Sequence, residues 1–479
     1  LIRPDISKYR IELLRIDMGS RHWDCGCQRQ EKLCCSHKIL PRSFSQSNRW
    51  ISSAFDGKAM FHIPPGRSIK ERDFLMRKRA IILGAAALVA SSVVFARNGA
   101  PMPSAHRDAI VLDTHIDTPA LLHVVGWSIM DRHSLSVDGT QVDLPRMRDG
   151  GLDGGFFVVF TEQGPRTPTG YTVARDEALM RTIEIRDMVA RHHEAFQLAT
   201  RADDAEKIVK SGKRAVFMSM ENSYPIGQDL SLMRTFRALG VTMMGPVHVG
   251  NNDLADSSNP DNGPEWHGLS PLGRQWVTEA NRLGILIDAS HASPEALDDI
   301  LALSNAPIIL SHSSLKSLAD NPRNIDDTRL RALAAKRGVI QINAVSSHLG
   351  VPNSPGRAPA RTLLGQPAAT IAELRAQRAT VLKIERENPA TRADLDHLVA
   401  QIRHAVALVG IDHVGLSGDF DGGGGIDGFD EASDYPKISQ RLLAAGFTAE
   451  DLRKFWGGNV LRVLREAQAR AEPSAVAGM

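Results

Sequence analysis

Histidines and carboxylates recur along this chain at spacings that could hold a metal ion. Asp113-Thr114-His115-Ile116-Asp117 sets a histidine and an aspartate two residues apart. In an extended segment both side chains leave one face and can reach one ion. Four further polar groups follow: Ser219-Met220-Glu221-Asn222; His248 with Asn251, Asn252, Asp253 and Asp256; Asp288-Ala289-Ser290-His291; and Leu310-Ser311-His312-Ser313-Ser314. A last one, Ser417-Gly418-Asp419-Phe420-Asp421-Gly422, comes late in the chain. Histidine with carboxylate is the ligand set of zinc and similar borderline ions. Each group alone has an ordinary reading, since Ser, Asp or His at a strand end often caps the next helix or satisfies loop backbone. Ser290, Ser293 and Ser313 are expected to do that. The repetition is what the ordinary reading does not supply. Three histidines, a glutamate and two aspartates exceed what one tetrahedral site with a bound water needs. A pair of ions bridged by Glu221 uses them more fully.

Eight short β-branched runs lie just before or between these groups: residues 109–114, 155–160, 214–220, 241–247, 285–289, 307–310, 339–344 and 413–416. Amphipathic segments separate most of them, for example residues 176–192, 231–239, 273–283, 294–303 and 328–336. Eight β–α alternations predict an α/β fold with a parallel sheet closed into a (β/α)8 TIM-type barrel. In such a barrel the polar groups, all at the C-terminal ends of runs, converge on one mouth. An open doubly wound sheet is the competing fold, but no Gly-x-Gly-x-x-Gly follows the first run. About 65 residues, 345–412, separate the seventh run from the eighth. They predict a helical insertion, with loop over 351–367 and helices over 370–387 and 392–409. A lid over the mouth and a plain surface excursion are both open readings of it.

The formal net charge is +2, which excludes a dedicated nucleic-acid binder. The average conceals an asymmetry: residues 1–96 carry a net +9 and the rest a net −7. All four cysteines, Cys25, Cys27, Cys34 and Cys35, fall in the basic stretch. Met76 opens a secretory signal pattern. Arg77-Lys78-Arg79 precedes an apolar run from Ala80 to Phe95, and Val94-Phe95-Ala96 has the small residues that signal peptidase requires. The run is short for a membrane-spanning helix. Residues 1–75 read as an unstructured extension from a mis-assigned start, 76–96 as a signal peptide, and 97–479 as the working domain. That domain is then cysteine-free and is expected in the bacterial periplasm or secreted, with an uncleaved N-terminal anchor as the alternative. No stable membrane insertion is expected after cleavage.

Several motifs together carry a family resemblance. They are Gly268 to Gly273 (GLSPLG), Glu279 to His291 (EANRLGILIDASH), Ala306 to Ser314 (APIILSHSS) and Asn321-Pro322-Arg323-Asn324. Gly418-Asp419-Phe420-Asp421-Gly422 and Gly457-Gly458-Asn459 with Leu461-Arg462-Val463 complete the set. From about residue 108 to 466 the chain resembles the membrane (renal-type) dipeptidase family of zinc metallopeptidases. The resemblance implies hydrolysis of dipeptides by a metal-bridging hydroxide, with two zinc ions per chain in a (β/α)8 barrel. By matching motif positions it implies His115 and Asp117 on one zinc, His291 and His312 on the other, and Glu221 between them. It places His248 at the scissile carbonyl, Arg323 with Asn324 at the substrate's terminal carboxylate, and Asp419 as the proton carrier. Homodimers are common in such relatives.

The chain departs from the family at Ile116, often Asn; at Asn222-Ser223, where Gly is common; and at Val247, often Thr. None of these removes a ligand; they bear on the groups that orient ligands. Another barrel amidohydrolase, acting on a non-peptide amide or ester, is a second reading. Such enzymes often bridge their metals with a carboxylated lysine. No lysine lies at a predicted strand C-terminus here, and Lys213 falls at the wrong end. A non-catalytic periplasmic binding protein is the third reading, and its mark would be a lost ligand. Arg323 has a competing role as a surface partner of Asp326 or Asp327. His267, His348, His397 and His404 read as ordinary surface or helix residues. Asp421 reads as a loop-stabilising residue, and Trp127, Trp266 and Trp276 as packing.

Overall fold

The structure, a computed structural model, describes residues 102–476 except Asp261. The extension over 1–75 and the signal over 76–96 lie outside the described residues. Among the described residues nine strands follow in order: β1 (Leu112–Ile116), β2 (Gly154–Val159), β3 (Phe196–Leu198), β4 (Arg214–Met220), β5 (Val241–Met244), β6 (Leu286–Ile287), β7 (Ile309–Ser313), β8 (Val339–Asn343) and β9 (Val414–Ser417). Every pairing is parallel. One sheet runs β1-β2-β4-β5-β6, with β3 appended to β4, and a second runs β7-β8-β9.

Two single parallel bridges join these sheets, Asp288 to Ile309 and Ile116 to Phe420. The amides of Ala289 and Asp117 donate across them to the carbonyls of Ile309 (2.9 Å) and Phe420 (3.0 Å). The fold is therefore an α/β (β/α)8 barrel, closed by eight strands, with two seams where the backbone ladder thins to one bridge. β3 escaped the sequence reading because three residues show no period, and it pairs only with β4.

Capping chemistry explains where the helices begin. Thr167, Ser270 and Ser293 each precede a proline and accept a hydrogen bond from the third helical amide, opening Pro168–Arg191, Pro271–Arg282 and Pro294–Leu303. Asp143, Asp326 and Asp394 cap Leu144–Asp149, Asp327–Ala335 and Leu395–Val409 in the same way. Ser293 thus behaves as expected. Ser290 and Ser313 do not cap but satisfy backbone: the Ser313 hydroxyl donates to the Ser290 carbonyl, and Ser290 Oγ accepts from the His312 amide while donating to Asp288.

The barrel floor is apolar. Leu112, Phe156, Phe217, Met243, Leu286, Ile309 and Val339, one from each of β1, β2 and β4 to β8, share one buried cluster with Val460, Val463 and Leu464 of the last long helix. Phe156 and Phe217 stack at 5.0 Å within it. Filling the floor with carbon leaves the polar chemistry to the opposite rim. Between β8 and β9 lie helices Ala358–Leu364, Ile371–Glu387 and Leu395–Val409. The first occupies a stretch read as loop, because its prolines and arginine masked a helix of under two turns. Val125, in the loop after β1, pairs with Thr370 at the foot of the second helix.

Candidate active site

β1 carries His115 within the strand, and Asp117 follows as the first residue beyond it. A register shift between Asp113 and Ile116 breaks the strand's alternation where His115 turns to the rim. Glu221 is the first residue after β4, and His248 lies four residues after β5. His291 follows β6, His312 sits inside β7, and Asp419 lies two residues past β9.

These side chains converge. Glu221 Oε1 lies 2.9 Å from His291 Nε2, 3.4 Å from His312 Nε2, 3.6 Å from His248 Nε2 and 3.7 Å from His115 Nε2. His115 Nε2 is also 3.3 Å from Asp117 Oδ2, and the Nε2 atoms of His291 and His312 are 2.8 Å apart. The candidate ligand atoms form overlapping triads, each within 4.8 Å: His115–Glu221–His312, Glu221–His248–His291 and His115–Asp117–Asp419.

The cluster's own charges pull in opposite directions. Burial, then the Arg323 charge, pushes His291 well below the usual imidazole range and His248 to about 3, while burial and then the His115 charge push His312 well below it. Burial raises Glu221 to about 8 and raises Asp419 as well. His115 goes the other way. Burial disfavours its charge, but Asp117, Glu221 and Asp419 outweigh burial and hold its proton affinity well above normal. Carboxylates thus gather positive charge at His115 while neutral imidazoles offer lone pairs beside it. That buried nitrogen and carboxylate donor set suits divalent cations of the zinc type, and the residues present fit a metal cofactor.

Two glycines and two strained aspartates make room for this. Asp419 and Asp421 adopt φ of +52° and +65°, a left-handed region Asp tolerates better than most residues. A Cβ on Gly422 would overlap the Asp117 carboxylate, and one on Gly418 would crowd Asp113 Oδ2. Asp421 ties loops, as expected: Thr118 Oγ1 (2.5 Å) and the Gln141 amide (2.7 Å) donate to it.

Arg323 is buried, 9% exposed, and its guanidinium donates to the carbonyls of Ser290 and His312. It does not pair with Asp326, which bonds Arg329 instead, or with Asp327, whose partners are Ser317 and His404. The surface role is therefore excluded. Asn324 spends its amide protons on the carbonyls of Ala319 and His348, both at 2.9 Å, and its Oδ1 is buried without a partner. That placement fastens the loop that carries Arg323.

His348 corrects the sequence reading. It is half-buried at the rim, where burial and then the Arg323 charge take it to about 3. Its Nδ1 lies 3.2 Å from Asn343 Nδ2, which donates 2.9 Å to Asp419 Oδ2. Both residues belong to the rim at β8, one of the two runs after which no polar group was sought. Reading five residues past that strand's end would have found His348. The tryptophans pack as expected: Trp276 is fully buried, Trp266 Nε1 donates to the Asn252 carbonyl, and Trp127 stacks on His133.

A parallel barrel whose C-terminal rim gathers imidazoles around a buried carboxylate defines a metal-dependent hydrolase class. The chain belongs to the membrane dipeptidase family, peptidase family M19, whose family profile matches residues 102–477. It is 33% identical over 333 residues to Dipeptidase tcpJ of Claviceps purpurea (strain 20.1), covering 68% of this chain and 69% of that protein. The crystal structure of the probable dipeptidase PvdM from Pseudomonas aeruginosa is 32% identical with a TM-score of 0.67, covering 77% of this chain and 97% of that one. A Rhodobacter sphaeroides metallopeptidase, solved with a phosphinate mimic of L-Ala-D-Ala, shares the fold at 23% identity and a TM-score of 0.59, over 75% of this chain and 99% of that one. As a member of this family the chain is a metallopeptidase of the dipeptidase type.

Proposed function

We propose that the rim hydrolyses dipeptides bearing a free C-terminal carboxylate, using two zinc ions. His115 and Asp117 would hold one ion, His291 and His312 the other, with Glu221 between them. Bound there, the pair would acidify a water and polarise the scissile carbonyl. The protein's own groups do the rest. His248, kept neutral by burial, donates an N–H to the carbonyl oxygen as charge develops there, a contribution of about 3 kcal/mol for a well-placed donor. Asp419 takes a proton from the attacking water and returns it to the leaving amine, and its raised proton affinity suits both transfers. Asn343 holds the Asp419 carboxylate, while Asn324 fastens the loop carrying Arg323.

One observation carries this reading. Arg323 is a buried guanidinium with no carboxylate in ion-pair contact among the described residues, and such a charge is costly unless an anion joins it. A substrate carboxylate completes it. A fixed charge near the cluster also explains a preference for short peptides. The test compares a dipeptide with its C-terminal amide on the zinc-loaded enzyme. We expect kcat/KM to fall about 30-fold or more for the amide, since an unpaired buried charge costs about 2–5 kcal/mol. Equal turnover would remove the carboxylate clamp. Loss of turnover on chelation and its return with zinc checks the metal requirement.

Among the described residues no helix is long and apolar enough to cross a membrane. The leader motif supports export to the periplasm, and N-terminal sequencing of the mature chain should then begin at Arg97. A homodimer is a further part of the proposal, checked by sedimentation.

A further inference from the structure

One candidate ligand has a partner behind it that the others lack. The Nδ1 atoms of His115 and His291 are buried and unpartnered, whereas His312 Nδ1 lies 2.8 Å from Ser311 Oγ. Ser311 in turn lies 2.5 Å from Asp288 Oδ2. The other carboxylate oxygen, Asp288 Oδ1, accepts from the amides of Ser290 (3.1 Å) and Ser311 (3.0 Å) and from the Ser290 hydroxyl (2.6 Å).

The direction of this chain follows from counting protons. A carboxylate only accepts, and a serine hydroxyl has a single proton to donate. The short contact assigns the Ser311 proton to Asp288 Oδ2. The neighbouring Ser290 hydroxyl, 3.2 Å away, has already spent its proton on Asp288 Oδ1. Ser311 Oγ is then left with lone pairs toward His312, so His312 Nδ1 must carry the imidazole proton and donate it. The Nε2 lone pair is thereby turned toward Glu221 and His291.

We propose that Ser311 and Asp288 are positioning residues that lock His312 in the Nδ1–H tautomer before any cation arrives. They act through His312 and touch neither substrate nor reacting atoms. The relay also crosses the β6–β7 seam, because Asp288 follows β6 while Ser311 and His312 belong to β7. The consequence for loading rests on the metal reading above; the tautomer itself does not.

Ser311→Ala removes the acceptor and frees the tautomer. Ser311→Thr keeps a hydroxyl in place. Asp288→Asn can present an N–H to Ser311, reverse the relay and force the proton onto His312 Nε2. Two measurements decide. Long-range ¹H–¹⁵N spectra of the metal-free protein labelled at histidine, with His312 assigned by its loss in His312→Gln, should show the Nδ1–H pattern in the wild type. An Nε2–H pattern overturns the proposal. Chelator competition with zinc should show one of two equivalents weakened about 10–100-fold in Ser311→Ala and Asp288→Asn, the range usual for lost outer partners. Ser311→Thr should stay near wild type, with circular dichroism confirming that each variant folds. Wild-type affinity in both Ser311→Ala and Asp288→Asn overturns the proposal. If the wild type binds no zinc stoichiometrically while the Nδ1–H pattern stands, the metal reading fails and the relay survives.

Discussion

Asp419→Asn separates proton transfer from every other role that residue could have. The site makes the substitution unusually clean. Asp419 sits at φ +52°, and Asn tolerates that backbone as well as Asp does, so no new strain enters. Its carboxylate accepts from Asn343 Nδ2, a bond the amide oxygen of Asn can keep. What disappears is the ability to take and return a proton. General acid–base catalysis is worth roughly 10²–10⁴-fold, so kcat should fall by that factor, about 3–5.5 kcal/mol on the barrier. Stability should move the other way or stay level, because burial already disfavours the Asp419 charge and the substitution removes it. The assay is dipeptide hydrolysis at saturating substrate, with a thermal melt and zinc content on the same sample. Zinc content is the control that matters, since Asp419 lies in a triad with His115 and Asp117. Unchanged metal with collapsed kcat supports a proton carrier. Activity within tenfold of wild type refutes the reasoning; loss of zinc in step with activity makes Asp419 a ligand instead.

Other outcomes follow from neighbouring features. Gly422→Ala should abolish activity and lower zinc retention, because the added Cβ overlaps the Asp117 carboxylate; near-normal activity would mean Asp117 is not needed where it sits. Arg323→Lys should raise KM for dipeptides at least tenfold with a smaller change in kcat, since lysine cannot keep the contacts to the Ser290 and His312 carbonyls while meeting a carboxylate in a fork. His133 stacks on Trp127 and bonds Asp138 Oδ2 at 2.9 Å. Despite burial, Asp138 raises the His133 proton affinity, and His133 in return lowers that of Asp138. The raised histidine stabilises the fold fully below its unfolded value near 6.5 and loses that as pH climbs through the folded one. The lowered aspartate adds stability above about 4 and loses it on acidification. His133→Gln should therefore be most destabilising near pH 5–6, by about 1–3 kcal/mol, and least above pH 8. Denaturant melts across that range test it, and a flat difference would count against the ion pair.

Much of the architecture was legible because its signals repeat. Eight β-branched runs, six of them ending in polar groups, point to a barrel and its rim without reference to any contact. His115, Asp117, Glu221, His248, His291, His312 and Asp419 do come together as that pattern implies. What stayed hidden lacks a period or acts at a distance. β3 is too short to alternate. His348 lies five residues beyond its strand, inside a 3-10 turn, so a search of strand ends passes it by. Asp113 reads as plain strand sequence, yet it accepts from the His115 and Gly418 amides and the Tyr435 hydroxyl, linking β1 to the far side of its seam. Only three-dimensional placement distinguishes such an acceptor from a helix cap.

The two thin seams have a mechanical meaning. His115, Glu221 and His248 come from the first sheet or its loops, His312 and Asp419 from the second, so the reactive rim straddles the cut between two sub-assemblies. Beside the single backbone bridge at each seam, the Asp113 carboxylate spans one and the Asp288 carboxylate the other. Cations gripped by ligands from both sub-assemblies would act as a rivet through the joint, tying catalytic loading to the resistance of the whole wall against opening.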